Sequence, residues 1–114
     1  MGVDKHFINQ HSGFVLENLI NCSPVGTKSS FYRTSGGAEV DLVLELPGKQ
    51  APWVFEVKHG IMGKPNKGFY YAVEDINPEK SFVVHKGKDS FPIDQQTEAL
   101  SLFDACKMLE QLNK

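Results

Sequence analysis

Hydrophobic and polar positions alternate most clearly between Glu39 and Lys58. Side chains of an extended strand point to opposite faces in turn, so Val40, Leu42, Leu44 and Leu46 form one face of a strand and Glu39, Asp41, Val43 and Glu45 the other. Beyond the turn signal from Pro47 to Gln50, Trp53, Phe55 and Val57 share one face of a second strand, and Val54, Glu56 and Lys58 share its opposite face. The stretch from Asn21 to Ser30 reads as loop and leads into a short β-rich segment, Phe31 to Thr34. Ser35, Gly36 and Gly37 then turn the chain into the strand at Glu39. Connections this short predict an antiparallel meander of three strands.

Helical spacing governs the flanks. Phe7, Ile8, Phe14, Val15, Leu19 and Ile20 predict a helix from about Val3 to Asn21. Glu17 lies off the centre of its apolar stripe. Gly68 to Ile76 predicts a short helix that Asn77 and Pro78 end, and Ser81 to His85 a buried strand. The long connection from Lys58 to Ser81 suits a parallel crossover with a helix on one face. Phe91 to Ile93 reads as a brief edge segment, with His85 a surface or edge residue. With Asp94 or Thr97 as N-cap, Ala99, Leu102, Phe103, Cys106, Leu109 and Leu112 fall at helical offsets and predict a last helix. The expected fold is an α/β domain over residues 1–114, with an α-β-β-β-α-β core, a mixed sheet flanked by helices and an added C-terminal helix.

Composition narrows the class. An apolar fraction of 40% supports a globular fold over a disordered chain. No apolar run approaches a membrane span, and the first residues lack the order of a secretion signal, so a cytoplasmic protein is expected. Cys22 and Cys106 form no Cys-x-x-Cys pair and read as reduced, buried thiols. His6 and His11 are spaced so that a helix does not stack them as a metal pair. The net charge of −2 gives no global case for nucleic acid, yet Val57 to Val73 holds no acid while carrying Lys58, His59, Lys64 and Lys67. A second acid-free interval, Asn18 to Ala38, holds Lys28 and Arg33. A basic lip of this kind suits an anionic substrate, and a solvated loop of ordinary lysines is the bland alternative. Arg33, Lys64 and Lys67 are the candidates for nucleic-acid contact. His59 follows Lys58 and points to the other face. Trp53, Phe69, Tyr70 and Tyr71 read as core or rim aromatics, with base stacking as their other use.

The chemistry concentrates on the two central strands. Asp41 and the pair Glu56 and Lys58 converge on apolar strands, where charges have to be paired or bound to metal. Two carboxylates are what Mg2+ or Mn2+ takes from a protein when water and phosphate complete its shell. A lysine beside them would orient an attacking water and offset charge developing at phosphorus. A cross-strand ion-pair network without chemistry is the alternative reading of the same residues.

Glu17 in the first helix, Asp41 on the second strand and Glu56-Val57-Lys58 on the third resemble the active-site pattern of the PD-(D/E)xK superfamily of restriction-endonuclease-like nucleases. More narrowly, Gly13-Phe-Val-Leu-Glu17, Phe31-Tyr-Arg-Thr34, Glu39-Val-Asp-Leu-Val-Leu-Glu45 and Phe55-Glu-Val-Lys58 resemble a C-terminal domain of unknown function that follows an AAA-type ATPase module. The resemblance implies Mg2+- or Mn2+-dependent cleavage of DNA. Asp41 and Glu56 would be metal ligands, Lys58 the catalytic lysine, Glu17 an outer carboxylate reaching the metal through water, and Arg33 a phosphate or structural partner. It also implies an ATPase module in the same or a neighbouring chain. Val40 stands where the pattern often has proline. No Gly-x-x-x-x-Gly-Lys-Ser/Thr loop occurs, so this chain alone is not expected to hydrolyse ATP in the P-loop manner. The rival expectation is a non-catalytic interaction or dimerisation module, to which the C-terminal apolar stripe would contribute.

Overall fold

The computed structural model describes residues 10–58 and 65–112. Helix α1 (Gln10–Cys22) leads into the meander β1 (Lys28–Arg33), β2 (Glu39–Glu45) and β3 (Trp53–Val57). Helix α2 (Lys67–Ile76) precedes β4 (Lys80–His85), and β5 (Phe91–Pro92) and β6 (Thr97–Ser101) precede α3 (Leu102–Gln111). The strands form one sheet in the order β1-β2-β3-β4-β6-β5. Its first three strands pair antiparallel, β3-β4 and β4-β6 pair parallel, and β5 returns antiparallel at the edge. The predicted α/β class, with a mixed sheet flanked by helices and a C-terminal helix, is what the chain adopts.

The helices divide between the two faces because the strands are apolar on both. Leu42, Leu44, Phe55, Val57, Phe82 and Val84 pack with Val15, Leu16 and Leu19 of α1 and Ala105 and Leu109 of α3. On the other face Val40, Val43 and Val54 pack with Phe69, Ala72 and Val73 of α2. Burial of all five residues of β3 fits a strand covered on both sides. Trp53 belongs to this core and donates from Nε1 to Glu79 Oε1 at 2.7 Å.

Four features differ from expectation. The first strand begins at Lys28, so Lys28 to Ser30 pair with Val43 to Glu45 where loop was expected; the hydroxyls of Ser29 and Ser30 carry no β signal. The last helix begins later. Thr97 to Ser101 pair with β4 as strand, and Ser101 is the N-cap, accepting from Asp104 N at 3.1 Å. Asp94 instead accepts from Gln96 N and Thr97 N at 2.8 and 2.9 Å, closing the turn between β5 and β6. His85 is not a surface residue but buried, 4% exposed, at the end of β4. Finally, Val40 does not share a face with Leu42. Ser30 pairs with Val43 but Tyr32 with Val40, so Asp41 and Leu42 together oppose the single residue Phe31. This is a β-bulge in β2, which turns Val40 to the α2 side. Of the first helix, residues 1–9 lie outside the described residues, as do His6, His59, Lys64 and the side chain of His11.

Helix α2 is held at both ends, by Asn66 Oδ1 accepting from Phe69 N at 3.0 Å and by left-handed Asn77, whose N–H donates to Val73 O at 2.8 Å. Its first turn touches the bend before β2. A methyl group on Gly68 would stand 2.6 Å from the carbonyl oxygen of Gly37, itself at φ 98°. Backbone on both sides leaves nowhere to shift. Gly68→Ala is therefore expected to lower the urea midpoint, by about 1–3 kcal/mol of stability as overpacking elsewhere costs. An unchanged midpoint would show that α2 is free to move off the bend.

Candidate active site

The central acids meet where β2 and β3 part. Register pairing between these strands runs from Leu44 opposite Trp53 to Leu42 opposite Phe55 and goes no further. Beyond it, Val57 N donates to Asp41 Oδ2 at 2.8 Å, so a side-chain carboxylate takes the place of a backbone acceptor. The bulge at Asp41 is what brings this side chain to the gap. Lys58 N donates to Val84 O at 2.9 Å, which carries the end of β3 along β4.

Glu56 is 5% exposed, buried at the end of a strand with its side chain hydrogen-bonded to that of Asp41. Burial is the main reason its carboxyl is pushed up to about 8, and the neighbouring Asp41 charge adds to it. Lys58 opposes that shift and Glu39 reinforces it. Burial likewise raises Asp41, against the Val57 hydrogen bond that favours its ionised form. Two adjacent acids out of water resist ionising together, so the pair holds a proton to higher pH than free carboxyls do. Displacing that proton would leave two convergent carboxylates, the donor set that a hard divalent cation accepts. The residues present fit Mg2+ or Mn2+ in that respect.

Around the pair the other expected residues divide. Lys58, half-buried, is close enough for its charge to act on Glu56. Arg33 acts on Asp41 and pairs with Glu39 through Nε at 3.5 Å, Arg33 exposed and Glu39 half-buried. Lys67 is exposed on the first turn of α2, whose Gly68 abuts Glu39. Glu17 does not join them. It is exposed on α1. The reason is the alternation of β3: α1 packs on the face of Phe55 and Val57, and Glu56 points to the face that α2 covers. Accordingly, no group of three or more His, Cys, Asp or Glu side chains suited to a metal assembles among the described residues. Glu39, which the sequence reading placed on the face of Asp41 without a role, has a charge that acts on both acids. Its position one pleat from Asp41 was the signal.

Because the folded chain holds the Glu56 proton to about 8 against an ordinary 4.5, the native state binds more protons than the unfolded one between these values. Stability of the metal-free protein is expected to fall as pH rises from about 4.5 to 8 and then to level off, a loss on the order of a few kcal/mol. Denaturant titrations across that range should show the fall in the native protein and a flatter profile in Glu56→Gln. Matching profiles would place the proton elsewhere.

The described helices include none long and apolar enough to cross a membrane. No curated protein and no solved structure matches the chain. Residues 12–104 match the family described as Domain of unknown function (DUF4143). The chain belongs to that family.

Proposed function

We propose that this domain cleaves nucleic-acid phosphodiester bonds with the help of Mg2+ or Mn2+, as the nuclease domains of the PD-(D/E)xK superfamily do. The observation that carries the reading is the buried, proton-sharing pair Asp41 and Glu56 at a β-bulge, with Lys58 beside it at the same strand end. A cross-strand ion-pair network explains this less well. A lysine placed to neutralise two acids would leave no reason for one of them to stay protonated, whereas Glu56 is raised in spite of Lys58.

In this reading Asp41 and Glu56 hold the cation once their shared proton has left. When bound, such a cation would supply Lewis acidity toward a phosphate and would lower the pKa of a neighbouring water. The Val57 N–H keeps Asp41 oriented, so the carboxylate that binds is fixed before substrate arrives. The Lys58 ammonium faces the negative charge that builds on the phosphoryl oxygens and stabilises it. Arg33 and Lys67 approach the substrate backbone from the β1 and α2 sides. Glu17 has no part in this arrangement. DNA is the expected substrate, and an AAA-type ATPase module in the same or a neighbouring chain is the proposed partner that would drive or regulate the domain. The non-catalytic docking reading would leave the protonated pair without a use.

Incubated with Mg2+, the protein is expected to nick supercoiled plasmid, and Asp41→Ala and Lys58→Ala to lose the activity by at least about 100-fold, the lower range for a single positioned catalytic group. Equal nicking by all three proteins would trace the activity to a contaminant and sink the proposal.

A further inference from the structure

A second concave surface opens on the other side of Lys58. It is a cleft of about 460 Å³ at the carboxyl ends of the parallel strands β3, β4 and β6. Ligands of open α/β sheets gather at that end of the strands, and the volume falls within the roughly 300–1,000 Å³ of small-molecule sites. Lys58, Lys86 and Lys88 line it, against the single acid Asp104. Asp104 is already occupied, accepting from Ser90 Oγ at 2.5 Å. Phe14 and Phe103 form part of the same wall, yet they are 61% and 73% exposed. Two large aromatic rings thus stand exposed beside a group of lysines, with Lys107 Nζ 5.9 Å from the centre of the Phe103 ring.

We infer that this cleft binds a single-stranded segment of nucleic acid, with Lys58, Lys86 and Lys88 on its phosphates and Phe14 and Phe103 stacked on its unpaired bases. Phosphates answer the lysines, and bases answer the rings; apolar partners would leave the lysines without a role. A duplex fits less well, since its bases are already stacked and its grip calls for a broad basic face. The chain has 12 basic against 14 acidic residues and concentrates three lysines here. Lys58 belongs to both surfaces. A strand lying across the sheet end would pass from the cleft to Asp41 and Glu56, which ties substrate choice to strands with unpaired bases, such as flaps, tails or branch points. This placement of the cleaved phosphate rests on the nuclease reading; the binding does not.

Fluorescence anisotropy in EDTA, with a labelled twelve-nucleotide oligo(dT) and a duplex of the same length, separates the two claims. The expected result is binding of the single strand with preference over the duplex and a slope of log K against log salt of about −2, as three phosphate contacts give. Phe14→Ala combined with Phe103→Ala should weaken binding at least about tenfold, within the range of base stacking on aromatic side chains. Lys86→Ala combined with Lys88→Ala should reduce the salt slope to about −0.7. The four side chains lie at the cleft surface, and unchanged urea midpoints would establish that the variants fold. Absence of single-strand binding, equal binding of duplex, or undiminished binding by either double variant overturns the inference. Cleavage of the same oligonucleotide on adding Mn2+ is a separate readout: strand binding without cleavage retains the cleft and removes the nuclease reading.

Discussion

Where β2 leaves β3, the amide of Val57 donates to the carboxylate of Asp41 and not to a backbone carbonyl. Much else at this end of the sheet follows from that substitution. The bulge that opposes Asp41 and Leu42 to Phe31 frees the carboxylate to turn into the gap. The same bulge sends Val40 under α2, where it packs with Val43 and Phe69. Once Asp41 stands beside Glu56, burial forces the two acids to share a proton, because the interior cannot solvate two adjacent negative charges. A strained electrostatic arrangement is thus maintained by well-packed apolar residues on both faces of the strand. Such arrangements are expected at functional sites more often than in pure scaffolding.

The sheet's topology concentrates chemistry at one end. Because β3, β4 and β6 run parallel, their carboxyl ends coincide, with Lys58 and Lys86 just past β3 and β4 and the N-cap Ser101 closing β6. Asp41 reaches the same end from an antiparallel neighbour. The acid pair belongs to the α2 side and the lysine cleft opens toward α1 and α3, so Lys58 stands between an acidic and a basic surface. The opposite end of the sheet has a larger depression near Glu74, Glu79, Asp94 and Glu98, an acidic surface that would repel the phosphates the lysine end attracts.

How legible this was in the sequence varied with the kind of interaction. The meander and the parallel crossover were readable, since alternation and connection length are local properties. Asp41, Glu56 and Lys58 were readable for the same reason: charges in apolar strands stand out. The strand β6 was not, because Ala99 also continues the helical spacing of Leu102, Cys106 and Leu109. Asp94 added to the error, for an aspartate closing a turn makes the same side-chain-to-amide bonds as one capping a helix. The bulge has no signature among Val40, Asp41 and Leu42, and arises only from how β1 and β2 pair. Glu17 was placed at the site by family resemblance and not by periodicity, and helix α1 lies across the sheet from Glu56.

The central claim is that Asp41 and Glu56 share a proton that a divalent cation displaces. Carbon-13 NMR of the Glu56 side-chain carboxyl, followed from pH 4 to 10 with and without Mg2+, reads this directly. The account predicts a titration near pH 8 in the metal-free protein that moves well down on adding Mg2+. A Glu56 that titrates in the ordinary carboxylate range and ignores Mg2+ would contradict it.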